Sequence, residues 1–215
     1  MQGAVAVPIL EHMKSTRGFT IIELMTTIAV FGVMLAIGTP AMKQTILNNR
    51  LVSQLNALGS SLALARSEAV KQNQLAVVCV STDGAACAAG EDWNKGWMIF
   101  VDKNGDLSPD FGGGDGCADG SDDDCLIASE AALTGQATLR GADSVPAVIA
   151  YNGSGTARCD ADDDGALENC VNADTYFVLC DERGDSHARA LAVSQTGRTA
   201  ILTTQIDGTA LECTP

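Results

Sequence analysis

The feature that most constrains this chain is an apolar stretch near its N-terminus, residues 19–38, reading FTIIELMTTIAVFGVMLAIG. A helix of that length rises about 30 Å, the thickness of a bilayer's hydrocarbon core. Lys14 and Arg17 precede the run and no basic cluster follows it directly. The positive-inside rule therefore places the N-terminus in the cytoplasm and everything beyond the span outside. A cleaved secretory signal would have a shorter core, about 7–15 residues, ending at a small-x-small site; this run instead flows into further helical pattern. A plain anchor leaves Glu23 unexplained, because a carboxylate at membrane depth costs about 2.5–3.5 kcal/mol on insertion scales and calls for a partner.

Pro40 follows the apolar run. There it removes a backbone donor and either bends or breaks the helix or simply marks the membrane exit. From residue 43 to about 74 the pattern stays helical. Leu47, Leu51, Leu55, Leu58 and Leu62 recur at three- and four-residue steps and form one apolar stripe, expected to pack against the protein's own sheet rather than a partner. Beyond it, short runs at 75–80, 97–101, 145–151, 176–179, 190–193 and 200–203 are bounded by Gly, Asp, Asn and Ser and read as strands. The expected fold class is α+β, one long helix packed on an antiparallel sheet or a pair of small sheets. Acidic, glycine-rich insertions, mainly 102–124 and 158–169, are expected to be too polar for the core. The expected organisation is a membrane segment at 19–40, an extracytoplasmic helical part at 41–74 and a β-rich head at 75–215.

Charge is distributed unevenly. Of 27 acidic and 13 basic residues, 24 acids and 7 bases lie in 81–215, a net −17 for that region. Such a field repels a phosphate backbone at long range, which argues against nucleic acid as a partner. All eight cysteines lie beyond the first helical stretch, a pattern that fits disulfides in an oxidising compartment. No Cys-x-x-Cys occurs and His12 and His187 are the only histidines, so a zinc site is disfavoured. Cys117 with Cys125 and Cys159 with Cys170 each bracket an acidic loop. Cys79 with Cys87 and Cys180 with Cys213 complete the preferred set, one among on the order of a hundred pairings. Asp160, Asp162 and Asp164, followed by Gly165, have the oxygen spacing of a calcium loop, but Val171 stands where the closing glutamate belongs. The stretch Asp102-Lys103-Asn104-Gly105-Asp106 is a looser candidate. The alternative for both is a merely solvated loop, and no other cofactor is implied. With His187 the single histidine beyond residue 12, no catalytic constellation emerges and no enzyme activity is expected.

One motif is specific. Arg17-Gly18-Phe19-Thr20-Ile21-Ile22-Glu23-Leu24 resembles the prepilin signal of type IV pilins and type II secretion pseudopilins. The resemblance implies a leader at 1–18 and a cut by prepilin peptidase between Gly18 and Phe19. It also implies methylation of the new Phe19 amine, which pairs with Glu23 of a neighbouring subunit in the filament core. It further implies local melting of the helix at Pro40 on assembly. Leaders of this type are short and basic, and Met13 to Gly18 alone would be typical, so Met13 is an alternative start to Met1. Ala65-Arg66-Ser67-Glu68-Ala69, the stretch WNKGWMIFVDKNGD at 93–106 and the turn Ser194-Gln195-Thr196-Gly197-Arg198 resemble the GspH/FimT family of minor pseudopilins and minor pilins. That implies a non-enzymatic subunit, held in the inner membrane with its head in the periplasm, that helps other minor and major pilins or pseudopilins begin a filament. Some FimT-like members bind DNA through Gly-Arg-x-Arg; here Gly197-Arg198-Thr199-Ala200 lacks the second arginine, which leaves Arg198 alone as a DNA candidate. Neither resemblance distinguishes pilus from secretion system.

Overall fold

The computed structural model describes residues 18–90, 92–112, 123–141, 147–159, 167–168, 175–205 and 208–213. Helix α1 (Ile21–Gln72) is followed by β1 (Leu75–Val80), β2 (Gly96–Asp102), β3 (Cys125–Ala131), β4 (Thr138–Gly141), β5 (Val148–Tyr151), β6 (Ala157–Cys159), β7 (Tyr176–Cys180), β8 (Arg189–Val193) and β9 (Thr199–Leu202). Short 3-10 turns at Trp93–Lys95 and Asp185–His187 precede β2 and β8. The chain divides into two compact units, residues 1–44 and 45–215.

In the first unit every described residue is exposed, with Phe19, Ile21, Phe31 and Ile37 among the large apolar side chains left uncovered. Helix α1 is long and apolar enough there to cross a membrane. It runs continuously through Pro40. Proline's fixed φ suits a helix, and its cost is the lost hydrogen bond and the crowding of the carbonyl four residues back. Beside it the Thr39 hydroxyl donates to the Leu35 carbonyl, and regular turns on either side hold the helix together.

In the second unit the leucine stripe does what its spacing predicts. Leu51, Leu55, Leu58 and Leu62, with Ala65 and Ala69, are buried in one cluster with side chains from both sheets. Full burial of each leucine is worth about 1.5–3 kcal/mol. The larger sheet has the order β3-β2-β1-β5-β6 and the smaller β4-β7-β8-β9, with every pairing antiparallel. Val78, Ile99, Ile149 and Tyr151 of the larger sheet and Leu139, Phe177, Leu179 and Leu191 of the smaller meet the helix. Trp93 crosses between them, edge-on to Phe177 with ring centroids 5.0 Å apart. The indole N–H of Trp97 donates to the buried Ser61 hydroxyl of α1 at 2.9 Å.

Two expectations are corrected here. Strands β3, β4 and β6 lie in segments not read as strand, the last at the start of the 158–169 insertion. The insertions also supply core: Leu107 is buried on the outer face of the larger sheet with Val77, Met98 and Phe100, and Phe111 and Leu167 pack beside it. Asp102 and Asp124 are themselves buried. A sheet whose central strands are apolar on both faces needs a second cover, and these loops provide it.

Disulfides pin the covers in place. Cys79, on the outer face of β1, is bonded to Cys87 with Cα atoms 5.6 Å apart. Cys180, at the end of β7, is bonded to Cys213, which draws Leu211 over the reverse face of the smaller sheet beside Ala188 and Ala190. Cys125 and Cys159 are also disulfide-bonded. The expected pairings Cys117–Cys125 and Cys159–Cys170 each include a cysteine outside the described residues.

Candidate functional site

The N-terminal motif adopts a defined local geometry. Thr20 precedes the first helical residue, and its hydroxyl accepts the Glu23 backbone N–H at 3.3 Å. The Glu23 carboxylate reaches back to the Thr20 backbone N–H at 3.5 Å, a long contact. This is the reciprocal arrangement of a capping box, which satisfies donors that a helix start leaves open. The sequence carries its signature, Thr-x-x-Glu ahead of an apolar run, although the resemblance drew attention only to an intermolecular partner for Glu23. Phe19 is 84% exposed, and among the described residues nothing lies within 4 Å of the position a Cβ would take on Gly18. The hydroxyls of Thr26 and Thr27 are satisfied inside the helix by the Glu23 and Leu24 carbonyls, at 3.0 and 2.8 Å.

The second constellation joins residues far apart in sequence. Arg66, on α1, donates through Nε to the Gly155 carbonyl at 3.1 Å, so it holds the turn between β5 and β6. The same side chain runs beneath Gly197 in the turn between β8 and β9. A Cβ on Gly197 would lie 2.7 Å from Arg66 Cδ and 2.8 Å from Tyr151 Cε1, and the residue has φ +70°. Only glycine fits that close approach with a left-handed backbone. The turn is closed by Gly197 N–H to the Ser194 carbonyl at 2.7 Å and Ser194 N–H to the Arg198 carbonyl at 2.9 Å, which leaves the Arg198 side chain exposed. Two motifs that sequence reading could only list separately thus form one contact. Arg183 makes a comparable link: it is hydrogen-bonded to Asn48 of α1 at 2.8 Å and paired with Asp181 at 2.7 Å. Burial would raise the Asp181 carboxyl, but the hydrogen bonds from Arg183 outweigh it and hold the group below the usual carboxylate range.

The third constellation is the acidic loop after β2. Carboxylate oxygens of Asp102, Asp106 and Asp124 lie within 4.8 Å of one another. The loop's own amides occupy them. Asp102 accepts from Gly105 at 2.6 Å and Leu107 at 3.0 Å. Asp124 accepts from Lys103 at 2.9 Å and Asp110 at 3.0 Å. Asp106 accepts from the Ser108 amide at 2.8 Å and the Asn104 side chain at 2.9 Å. Burial raises the Asp102 carboxyl above its ordinary value; the two amides oppose the shift, and the charges of Asp124 and Asp106 add to it. Hard oxygen donors of this kind suit calcium, yet hydrogen bonds within the loop already account for its fold. The other calcium candidates, Asp160, Asp162 and Asp164, lie outside the described residues.

Residues 13–39 match the prokaryotic N-terminal methylation motif. The pilin-like protein PilA1 of Thermus thermophilus is 30% identical over 98 residues, 45% of this chain and 54% of that protein, so the chain spans about half the length of this curated relative. Two crystal structures of the type IV minor pilin FimU of Pseudomonas aeruginosa are similar at 20% identity. One covers 77% of this chain and 96% of FimU with a TM-score of 0.46, the other 76% and 100% with a TM-score of 0.45. The family described as type II transport protein GspH matches residues 54–197, about two thirds of the sequence. That span takes in the Arg66 contact, both sheets up to the Gly197 turn and the acidic loop, and by it the chain belongs to the GspH family.

Proposed function

We propose that this chain is a minor structural subunit, without enzymatic activity, that helps initiate a type IV pilus or a type II secretion pseudopilus. The observation that carries the reading is Glu23, which closes the first turn of an exposed apolar helix directly after Gly18-Phe19. Prepilin peptidase cuts between Gly18 and Phe19, and the new Phe19 amine is methylated and cationic. In the inner membrane, with the head in the periplasm, Glu23 is satisfied locally by Thr20. In the filament the carboxylate exchanges that long local contact for the Phe19 amine of a neighbouring pilin, and each buried charge meets its counter-charge. Loosening of the helix at Pro40 accompanies entry into the filament.

Glu23→Ala removes the acceptor but leaves the cleavage motif and apolar run intact. The variant should be processed and membrane-bound yet absent from sheared filaments. Incorporation at the wild-type level would overturn the reading. A deletion strain scored for surface pili and for exported proteins assigns the machine: loss of pili alone means a pilus, loss of export alone a secretion pseudopilus.

A further inference from the structure

A trough of about 470 Å³ runs between α1 and β9, formed by Leu55, Gly59 and Ala63 on the helix and Leu191, Thr199 and Ile201 on the sheet. A second depression of about 390 Å³ shares Ala63 with it and is lined by Arg66, Val70, Lys71 and Gly197. Strand β9 is the last of its sheet. Val193 N–H donates to the Thr175 carbonyl on the β7 side. In an antiparallel ladder the residues opposite Val193 and Leu191, which are Thr199 and Ile201, therefore turn their N–H and C=O groups away from β8. No strand or isolated bridge among the described residues pairs with that side. Leu191 and Thr199 both approach the Gly59 position, at 3.7 and 3.4 Å, so alternate β9 residues face the helix and the absent side chain at Gly59 deepens the floor. The trough thus combines an open strand edge with apolar positions at Leu55, Ala63, Leu191 and Ile201, between which Asn56 and Ser60 present polar groups.

The charge at one end of it is opposite to that of the rest of the head. Arg66 and Lys71 line the second depression against Glu68 alone, whereas residues 81–215 are net −17. Glu68 is bound to Lys71 at 3.0 Å, and Arg198 stands exposed at the entry to β9. We propose that the trough takes an extended segment, apolar at alternate positions and acidic between them, from a neighbouring acidic subunit, which adds as a strand to the β9 edge. Main-chain groups of Thr199 and Ile201 supply the hydrogen bonds, the apolar positions of the floor take the apolar side chains, and Arg66 and Arg198 select acidic ones. The identity of the donor as a subunit rests on the function proposed above; the chemistry of the trough does not.

The test uses the full chain in detergent micelles and a fluorescein-labelled peptide alternating glutamate and valine, read by anisotropy at low salt. Ile201→Pro removes an outward N–H and leaves the ladder to β8 in place; Arg198→Glu reverses the rim charge without touching the backbone. Each should weaken binding about tenfold or more, and a lysine–valine peptide should bind at least tenfold more weakly than the glutamate one. Equal affinity for both peptides, indifference to Arg198→Glu, or duplex DNA displacing the peptide would overturn the proposal. In cells, both variants should be under-represented in filaments. Their incorporation at the wild-type level while Glu23→Ala is excluded would sink this inference and leave the subunit function standing.

Discussion

Replacing Gly197 with alanine tests the contact that ties α1 to both sheets. The added methyl would sit 2.7 Å from Arg66 Cδ and 2.8 Å from Tyr151 Cε1, on a backbone at φ +70°. A left-handed backbone costs an alanine about 1–2 kcal/mol, and forcing a methyl into filled space costs about 1–3 kcal/mol. Arg66 is partly exposed and its stem can shift, but Tyr151 is fully buried and cannot. The total is roughly 2–5 kcal/mol, which for a chain of this size lowers Tm by roughly 4–20 °C. In an Arg66→Ala background half of the clash disappears, so Gly197→Ala should cost about 1 kcal/mol less there, a coupling within the usual range for touching residues. Thermal unfolding of the four proteins in detergent, followed by tryptophan fluorescence, measures both quantities. A Gly197→Ala protein within about 0.5 kcal/mol of wild type, the range of an ordinary surface change, would refute the reasoning, as would an identical cost in the two backgrounds.

Cys213→Ala should destabilise more than Cys87→Ala. The Cys180–Cys213 bond closes a separation of 33 residues and Cys79–Cys87 one of 8. Loop entropy then gives about 3.7 against about 2.5 kcal/mol, and non-reducing thermal melts should rank them so. The folded protein holds the Asp102 proton to higher pH than the unfolded chain does, where the ordinary value is 3.8. The contribution of this group to stability is therefore greatest below that value and is lost as pH rises through the raised folded pKa. The difference in Tm between wild type and Asp102→Asn, measured from pH 3 upward, should shift against wild type across that window; a constant difference would contradict the burial argument.

Elements with a strong period were legible in the sequence, and elements defined by their cover were not. The leucine stripe follows from its period, because one face meets the sheets, and strands β1, β2, β5, β7, β8 and β9 follow from short apolar runs bounded by turn residues. Strand β3 was hidden because Cys125-Leu126-Ile127 leads into Ala128-Ser129-Glu130 with no alternation, and its register slips by one residue opposite Ile99 and Phe100. Strand β6 is three residues long and begins an acidic insertion. The acidic loop misled most: composition says solvent, yet Asp102 and Asp124 are buried because backbone amides, which composition does not record, satisfy their oxygens. At the N-terminus Thr20 was legible as a cap and was overshadowed by Glu23. The Arg66–Gly155–Gly197 contact could not be read at all, since it depends on which turns the topology brings over the helix.

The layout of that helix has a mechanical consequence. Leu51, Leu55, Leu58 and Leu62 seat along the helix axis against both sheets, and Arg66 and Asn48 fasten the same segment to turns of the head. A pull along α1 loads these contacts together, in shear, instead of peeling them one after another. Rupture then requires several buried leucines and two side-chain fastenings to yield at once. A head held this way bears axial tension better than one attached by its end, because no single contact carries the load alone.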